Sequence, residues 1–297
     1  MYQKLVVPLD GSKLAEEILP TVAQLAAGLE ARVQLLAVVA AEAVAPKTGA
    51  STVARDAMVA RDAMNKAERY LHSVTGYLPL PRERVQVVAT VDEVVRGILK
   101  ETDREPNTLI AMSTHGRSGV GRFALGSVAD KVLRGTRTPI LLYRSKGGAE
   151  IRGTIGTVIV PLDGSALADR AIAPARDLAK ELNLPVLLVR AARTVPVYGG
   201  NLGVDWYDPA LDLEEERRAA EYLELHEQRL KKAGLEVSTK VLNGPAADAI
   251  IDVVHDTPNA LVVMTTRGRS GTARAILGSV ADRVVRHANA PVLLIHA

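Results

Sequence analysis

Cysteine is absent from this 297-residue chain, which excludes disulfide bonds, thiol catalysis and metal sites with Cys ligands. Aromatic residues make up only 3% of the chain, so we do not expect the stacking platforms that hold single-stranded nucleic acids. The chain also lacks a large excess of either charge, since 37 Lys and Arg and 34 Asp and Glu give a formal net charge of +3. This near balance argues against nucleic acid as a partner.

Long hydrophobic runs are also missing. No apolar stretch approaches the ~18 residues that a membrane-spanning helix needs, and the opening residues MYQKLVVPLDGS enter a strand pattern rather than a signal-peptide core. We therefore expect no membrane association and a cytoplasmic location. Hydrophobic residues at 47% and charged residues at 24% are typical of globular domains, and the length suits two of them.

An internal duplication is the strongest pattern in the chain. Residues 7–12 (VPLDGS) return as residues 160–165, and residues 116–130 return as residues 268–282 with 11 of 15 positions identical. The first offset is 153 and the second 152, which predicts two whole domains of similar length. We place these domains at residues 1–145 and 157–297. Residues 146–156, which begin with the polar and small sequence KGGAE, form the predicted linker.

Each half alternates short apolar runs with helical patterns. The predicted strands are residues 5–9, 33–39, 85–89, 108–112 and 140–143 in the first half, and 158–162, 186–189, 236–241, 261–264 and 292–295 in the second. Strict alternation of this kind, with strands rich in Val, Ile and Leu, predicts two tandem doubly wound α/β domains. In each, a parallel sheet is expected to carry helices on both faces. Ligands of such sheets bind beyond the carboxyl ends of the strands.

Helix start signals are also present. Ser12 is predicted to cap the first helix, and Pro20 and Pro174 are predicted to kink the first helix of each half or to set its true start. Ser127 stands three residues before Asp130. That spacing predicts a capping box at the start of the helix that follows the glycine-rich stretch.

The glycine-rich stretch lies between the fourth strand and a helix, which is where α/β folds offer backbone N–H groups to a phosphate. Gly116 and Gly119 permit positive φ, Gly126 permits close approach of a ligand, and Arg117 adds positive charge. The counterparts in the second half are Gly268, Gly271, Gly278 and Arg269. A purely structural turn is the alternative, but its retention across the duplication favours anion binding.

Two well-known nucleotide motifs are not matched. Gly121 and Gly126 have the Walker spacing, but Ser127 stands where the lysine belongs, and Ala273 replaces Gly121 in the second half. The first strand is not followed by GxGxxG either. Both facts argue against kinases, GTPases and dehydrogenases.

Asp10 and Asp163 are predicted at the carboxyl end of the first strand of each half. A carboxylate there could accept hydrogen bonds from a ribose hydroxyl. The alternative is a structural role, either an Asx turn with Gly11 or a helix cap shared with Ser12. The residues alone leave both interpretations open.

These motifs together resemble the universal stress protein family. VVPLDGS on the first strand and STHGRSGVGRFALGSVADKVL after the fourth carry the likeness, and TTRGRSGTARAILGSVADRVV repeats it, so that it covers essentially the whole chain. The nucleotide-binding branch of that family has Gly, two residues, Gly, nine residues, Gly, then Ser or Thr. The last three positions are filled by Gly116, Gly126 and Ser127, and again by Gly268, Gly278 and Ser279. Ser113 and Thr265 replace the first glycine.

The resemblance implies a five-stranded parallel sheet of order 3-2-1-4-5 in each half. It also implies a site for an adenine nucleotide, ATP with or without Mg²⁺, and no metal site of the protein's own. The implied site residues are Pro8, Asp10, Val38, Met112, Ser113, Gly116, Gly126, Ser127 and Val128, and in the second half Pro161, Asp163, Arg190, Met264, Thr265, Gly268, Gly278, Ser279 and Val280. Arg190 departs from the apolar residue at Val38, although a contact through the backbone would survive the change.

The function implied is that of a stress-response protein that binds ATP and acts through ligand-dependent conformation or assembly. The alternatives are an interaction module of the same family that binds no nucleotide, and a slow ATPase. The fifth strands, residues 140–143 and 292–295, are too apolar to remain bare sheet edges. We therefore expect the two halves to associate through them as an intramolecular pseudo-dimer, and a homodimer of the whole chain is a further candidate.

Overall fold

The computed structural model describes residues 1–44, 53–114, 125–144, 155–192, 209–268 and 277–296. The chain divides into two compact units, Met1–Thr154 and Ile155–Ala297. Gly116, Arg117, Gly119, Arg269 and Gly271, which the sequence predicts as phosphate-binding residues, lie outside the described residues.

Unit one contains a parallel sheet of the order β3-β2-β1-β4-β5. Its strands are β1 (Lys4–Pro8), β2 (Arg32–Ala40), β3 (Val85–Asp92), β4 (Thr108–Ser113) and β5 (Ile140–Tyr143). Its helices are α1 (Lys13–Glu16), α2 (Leu19–Gly28), α3 (Ala41–Val44), α4 (Val53–Val74), α5 (Val94–Thr102) and α6 (Ser127–Gly135), with 3-10 turns at Thr75–Tyr77 and Arg82–Arg84.

Unit two repeats this architecture, with a parallel sheet of the order β8-β7-β6-β9-β10. Its strands are β6 (Thr157–Pro161), β7 (Val186–Ala191), β8 (Val237–Leu242), β9 (Ala260–Thr265) and β10 (Val292–Ile295). Its helices are α7 (Ala166–Asp169), α8 (Ile172–Leu182), α9 (Pro209–Lys232), α10 (Ala246–Asp256) and α11 (Ser279–His287). The predicted doubly wound α/β fold and the strand order 3-2-1-4-5 are confirmed in both units.

The burial of the strands explains why apolar runs in the sequence predicted them. β4 and β9 are buried along their whole length, whereas the outer strands β3 and β8 are partly exposed. The direction of winding reverses between β1 and β4, and between β6 and β9. The carboxyl ends of these central strands therefore flank the crevice in which doubly wound sheets bind ligands.

The first helical pattern of each half is split in two, as the prolines predicted. Ser12 Oγ accepts a hydrogen bond from the backbone N–H of Ala15 at 3.2 Å and caps α1. Pro20 then occupies the first turn of α2, where it needs no N–H donor. Pro174 is the third residue of α8 and also lies in the first turn, so both prolines lie at helix starts.

The capping box predicted at Ser127 and Asp130 is wrong. Gly126 is the N-cap residue of α6, without a side-chain capping bond, and Ser127 is the first residue inside the helix. Asp130 instead accepts hydrogen bonds from Arg134 at 2.8 and 3.1 Å, one turn further on. The start of α11 is built in the same way, with Gly278 as an N-cap that lacks a side-chain bond. Both helices thus begin without a side-chain cap, which the sequence had predicted for α6.

None of the helices in the described part of the chain combines the length and apolar character needed to span a bilayer.

Candidate functional site

The carboxylate at the end of β6 is fixed by a local turn. Asp163 Oδ1 accepts from the backbone N–H of Ser165 at 2.9 Å and from its hydroxyl at 2.6 Å. Ser165 Oγ in turn accepts from the N–H of Ala168 at 3.2 Å and caps α7. Gly164 allows the turn because its φ is +80°.

The same construction repeats at Asp10 in unit one. Its Oδ1 accepts from the N–H of Ser12 at 2.9 Å and from its hydroxyl at 2.6 Å, and Gly11 has a φ of +85°. The structural role foreseen for both aspartates is therefore present. It employs one carboxylate oxygen and holds the side chain rigidly at the strand end.

Asp163 and the start of the glycine-rich stretch lie in close contact. A Cβ atom built at Gly268 would overlap Oδ2 of Asp163, so only glycine fits this position without movement of the carboxylate. Since Gly268 follows β9 and Asp163 follows β6, the contact joins the two central strand ends. The sequence placed these two residues in one site without any local signal that they touch.

A cavity of about 800 Å³ opens at this edge of unit two, within the range of sites that hold small molecules. All nine site residues of the second half that lie in the described part of the chain line it, namely Pro161, Asp163, Arg190, Met264, Thr265, Gly268, Gly278, Ser279 and Val280. The structure therefore brings together residues that are up to 119 positions apart in the sequence.

One side of the cavity attracts anions. The N–H of Gly278 donates to the carbonyl of Thr266 at 2.7 Å, and the hydroxyl of Thr265 donates to the carbonyl of Arg267 at 2.6 Å, so both ends of the glycine-rich stretch are braced. The first turn of α11 then presents N–H groups that no side chain caps. Arg267 lines the same cavity, and its Nε is buried without a hydrogen-bond partner among the described residues.

Unit one places its described site residues at the same strand ends, although the strand pairing makes Ala37, not Val38, the counterpart of Arg190. Pro8, Val38, Met112 and Ser113 lie at the carboxyl ends of β1, β2 and β4, and residues 126–128 begin α6. The N–H of Gly126 donates to the carbonyl of Thr114 at 2.8 Å, matching the brace in unit two. The Ser113 hydroxyl is buried and has no hydrogen-bond partner among the described residues. Ser113 replaces the first glycine of the family motif and therefore brings an additional polar group to this strand end.

In each unit, a tyrosine on the long helix donates a hydrogen bond to the short helix that follows the first strand. The hydroxyl of Tyr222 on α9 donates to Asp169 of α7, and the hydroxyl of Tyr70 on α4 donates to Glu16 of α1 at 3.3 Å. Burial, reinforced by the neighbouring carboxylate, raises the pKa of both tyrosines. Both therefore remain protonated donors at neutral pH.

Unit two adds two groups around its tyrosine. The Arg190 guanidinium lies 4.8 Å from the centre of the Tyr222 ring, a cation–π contact. His226 packs edge-on against the same ring, with the centroids 4.7 Å apart. Burial lowers the pKa of His226, although the carboxylate of Asp169 opposes that shift. The long helix of unit two is thus joined to the cavity wall through Arg190.

The residue-by-residue prediction missed several cavity residues. Glu215, Arg267 and residues 244–246 line the cavity, but none was predicted as a site residue. Glu215 lies in the charged run EEERR (residues 214–218), which is typical of a solvated helix face, and Arg267 occupies the position of His115 in the repeat. A comparison of the two copies could have pointed to Glu215 and Arg267, because neither has a like-charged counterpart in unit one.

The described residues contain no cluster of three or more His, Cys, Asp or Glu side chains that could hold a metal ion.

Fold and site together define a tandem doubly wound α/β protein with a ligand-sized crevice at its strand ends. The sequence model of the Universal stress protein family matches residues 1–144 and again residues 154–296. The chain belongs to the universal stress protein family. The resemblance read from its motifs is thereby confirmed.

Relatives with assigned names carry the same family description. Universal stress protein MJ0531 of Methanocaldococcus jannaschii is 30% identical over 138 residues, which are 46% of this chain and 80% of that protein. Universal stress protein Rv2623 of Mycobacterium tuberculosis is 30% identical over 179 residues, 59% of this chain and 58% of that protein. The match thus spans less than two thirds of the mycobacterial relative.

Solved structures agree on the fold. The crystal structure of a universal stress protein from Archaeoglobus fulgidus has a TM-score of 0.69 at 18% identity, and the likeness covers 100% of this chain and 99% of that one. A putative universal stress protein from Pseudomonas aeruginosa has a TM-score of 0.63 at 17% identity, covering 99% of this chain and 93% of that one. Two doubly wound units in one chain are therefore an arrangement that solved structures share.

Proposed function

We propose that the chain binds purine nucleotides, with ATP as the family ligand and one potential site in each unit, and that it acts by ligand-dependent conformation or assembly. The observation that carries this proposal is the cavity of unit two, which nine predicted nucleotide-site residues line. Its volume of about 800 Å³ accommodates a nucleoside triphosphate.

The groups around the cavity suit the parts of a nucleotide in a fixed order. Phosphates fit the uncapped start of α11 at Ser279 and Val280, where N–H groups and the helix dipole favour negative charge. The ribose fits beside Asp163, whose carboxylate can accept hydroxyl hydrogen bonds. The base then extends towards the end of β7, at Arg190, since β6 lies between β9 and β7. The same order holds in unit one along β4, β1 and β2.

The chain's own residues bind and orient the ligand in this proposal. Gly268 leaves room beside Asp163 because it lacks a Cβ atom, and the turn at Ser165 keeps the carboxylate from rotating away. The nucleotide, when bound, supplies the polyphosphate charge. α11 begins at the cavity, so that charge would alter the electrostatic balance at its start.

A charge placed at the start of α6 and α11 tests the proposal. We expect the double variant Ser127→Asp, Ser279→Asp to lose bound nucleotide, with affinity at least ~10-fold lower, because a carboxylate there repels phosphate. The fold is expected to persist, since Asp in the first helical turn interacts favourably with the helix dipole by ~0.3–1 kcal/mol. The measurement is denaturation of freshly purified protein and chromatography of the released nucleotide, followed by titration with Mg-ATP.

The double variant Ser127→Ala, Ser279→Ala is the matched control, because it removes the hydroxyls without adding charge. We expect it to retain most of the binding. About two equivalents of nucleotide per wild-type chain would indicate two working sites, and one equivalent would indicate a single site. A well-folded wild-type protein that releases none and binds no added Mg-nucleotide would contradict the proposal and favour the interaction module.

A further inference from the structure

The two units differ at two positions that face the base end of the proposed site. Arg190 lies near the end of β7 at the position that Ala37 holds in β2, because Pro161 pairs with Val189 and Pro8 pairs with Leu36. Glu215 on α9 corresponds to Ala63 on α4 when the helices are aligned through Tyr222 and Tyr70. Both Arg190 and Glu215 line the cavity of unit two. Unit two therefore has a hydrogen-bond donor and an acceptor where unit one has two apolar side chains.

The Arg190 guanidinium group contacts neighbouring residues through its flat faces. A Cβ atom built at Gly164 would lie 3.1 to 3.2 Å from three atoms of the group, Cζ, Nη1 and Nη2. Three nearly equal distances to a planar group mean that Gly164 lies against its face. The Tyr222 ring, 4.8 Å from Cζ, supports it further. Because the N–H donors of arginine lie in the plane of the group, these contacts do not consume them.

No carboxylate pairs with Arg190 among the described residues, whereas Glu215 has a charged neighbour. Glu215 Oε1 lies 3.2 Å from Nη1 of Arg218, an exposed ion pair on α9. Such a pair still leaves the carboxylate capable of accepting further hydrogen bonds. Donor and acceptor thus come to one cavity from two different elements, β7 and α9.

The surroundings of Arg190 favour a planar base over a second phosphate. Ala191, Ala192, Pro245, Ala246 and Ile250 line the same cavity and offer an apolar surface to an aromatic ring. β7 and β9 flank β6, which puts their ends about 10 Å apart, the reach of a nucleoside between its phosphates and its base. The carboxylate of Glu215 would repel a phosphate but can accept from the amino and imino groups of a base.

We propose that the site of unit two prefers guanine nucleotides, whereas the site of unit one keeps adenine. Guanine presents two acceptors, O6 and N7, on the edge that arginine pairs with in a bidentate manner, and adenine presents a donor in place of O6. Guanine also has N1–H and amino donors, which match the carboxylate of Glu215. Arg190 is then the residue that determines base specificity, and the inference rests on the proposed nucleotide site.

Calorimetric titration of the full chain with Mg-GTP, Mg-ATP and Mg-ITP tests this preference. Ser127→Asp is introduced first so that only unit two is measured. We expect GTP to bind more tightly than ATP by about 10- to 100-fold, the discrimination that one bidentate arginine provides. ITP keeps O6, N7 and N1–H but lacks the amino group, and is expected to fall between them.

Substitution by apolar residues supplies matched controls. Arg190→Val is expected to abolish the advantage of GTP and ITP over ATP while ATP still binds, and Glu215→Ala to reduce GTP affinity more than ITP affinity. Arg190→Lys keeps the positive charge but not the planar pair of N–H donors that makes the bidentate contact. It should therefore also lose most of the GTP preference. Circular dichroism and thermal unfolding of each variant identify any that fails to fold.

Several outcomes would overturn the inference. ATP binding at least as tightly as GTP in the Ser127→Asp parent would do so, as would a GTP preference that survives Arg190→Val. An adenine nucleotide with an additional ribose phosphate that binds more tightly than GTP, and loses this advantage in Arg190→Val, would assign Arg190 to phosphate instead. If no nucleotide binds the wild-type chain at all, the proposed function itself fails, which is a separate result.

Discussion

At the scale of single residues, the site depends on a carboxylate that cannot move. Asp163 is held by two hydrogen bonds to Ser165, and Gly268 lies against its other oxygen. Gly278, ten residues later, lines the same cavity but has its nearest neighbour, the carbonyl oxygen of Thr266, 3.5 Å from a built Cβ atom. Two glycines of one motif thus have different steric freedom.

This difference predicts opposite results for the same substitution. Gly268→Ser is expected to lower the free energy of unfolding by about 1–3 kcal/mol, because the new Cβ atom must displace a fixed carboxylate. Gly278→Ser should be neutral or slightly stabilising, because its Cβ atom fits and serine is a favoured N-cap residue. Urea unfolding of both variants makes the comparison. Equal losses would show that the contact between Gly268 and Asp163 does not constrain the fold.

Residue identity predicted some site features and missed others. The turn at Asp10 and Asp163 was foreseen because Asp, Gly and Ser in that order have strong local preferences. The positions of Arg190 and Glu215 were not foreseen as a pair, because they belong to β7 and α9 and line one cavity only in the folded unit. Long-range side-chain contacts of this kind leave no periodic trace in a single sequence.

At the scale of elements, the two units stabilise equivalent helices by different means. Glu93 caps α5 by accepting from the N–H groups of Val95 and Arg96, at 3.2 and 2.9 Å. Asp92, only 8% exposed, pairs with Arg96 and with Lys100, the latter at 2.6 Å. The corresponding helix of unit two, α10, starts after Gly244 and Pro245 with no side-chain cap. The start of α5 is therefore capped by a carboxylate side chain, whereas that of α10 has no side-chain cap.

The Asp92 cluster predicts an acid-sensitive element in unit one. The hydrogen bond from Lys100, helped by Arg96, lowers the pKa of Asp92 from 3.8 to about 2. A carboxyl group with a depressed folded-state pKa stabilises the fold above its ordinary pKa, and this contribution disappears as the pH falls through the folded-state value. The stability difference between wild type and Asp92→Asn should therefore be full at neutral pH and shrink between about pH 3.8 and 2.

Amide hydrogen exchange of β3 and α5 at several pH values measures this effect in the intact chain. Asp103→Asn is the control, since Asp103 is an exposed carboxylate at the other end of the same helix. It should produce no comparable loss at any pH. If Asp92→Asn leaves exchange in β3 and α5 unchanged at pH 7, the ion pairs do not stabilise this element.

Element boundaries were predictable wherever local chemistry decides them. β5 and β10 begin and end where the sequence predicted, since a proline precedes each short apolar run. The helix start at Ser127 was misread, because a capping box and a serine at the first helical position have the same spacing to the next acidic residue. Only the backbone conformation of Gly126 and Gly278 distinguishes the two. The missing cap is also what leaves these helix starts available to an anion.

At the scale of the whole molecule, duplication made the architecture predictable. A motif that recurs at nearly constant spacing fixes the number and length of the units without any knowledge of their packing. The order of the strands came from the family resemblance rather than from periodicity, which does not specify neighbours. Association of the two halves through β5 and β10 stays a prediction, to be checked by mixing separately expressed halves and measuring their mass by light scattering.

The start of unit two offers a prediction about where this chain can be divided. Ile155 and Gly156 lie in the linker predicted from composition, yet Ile155 is only 5% exposed, and the N–H of Gly156 donates to the carbonyl of Asn259 at 2.8 Å. A fragment of residues 155–297 should therefore unfold at higher urea concentration than one of residues 157–297. The expected difference is about 2–4 kcal/mol, the sum of burying one isoleucine and forming one hydrogen bond. Ile155→Ala in the longer fragment should account for most of the difference, whereas equal stability of both fragments would place the true boundary at Thr157.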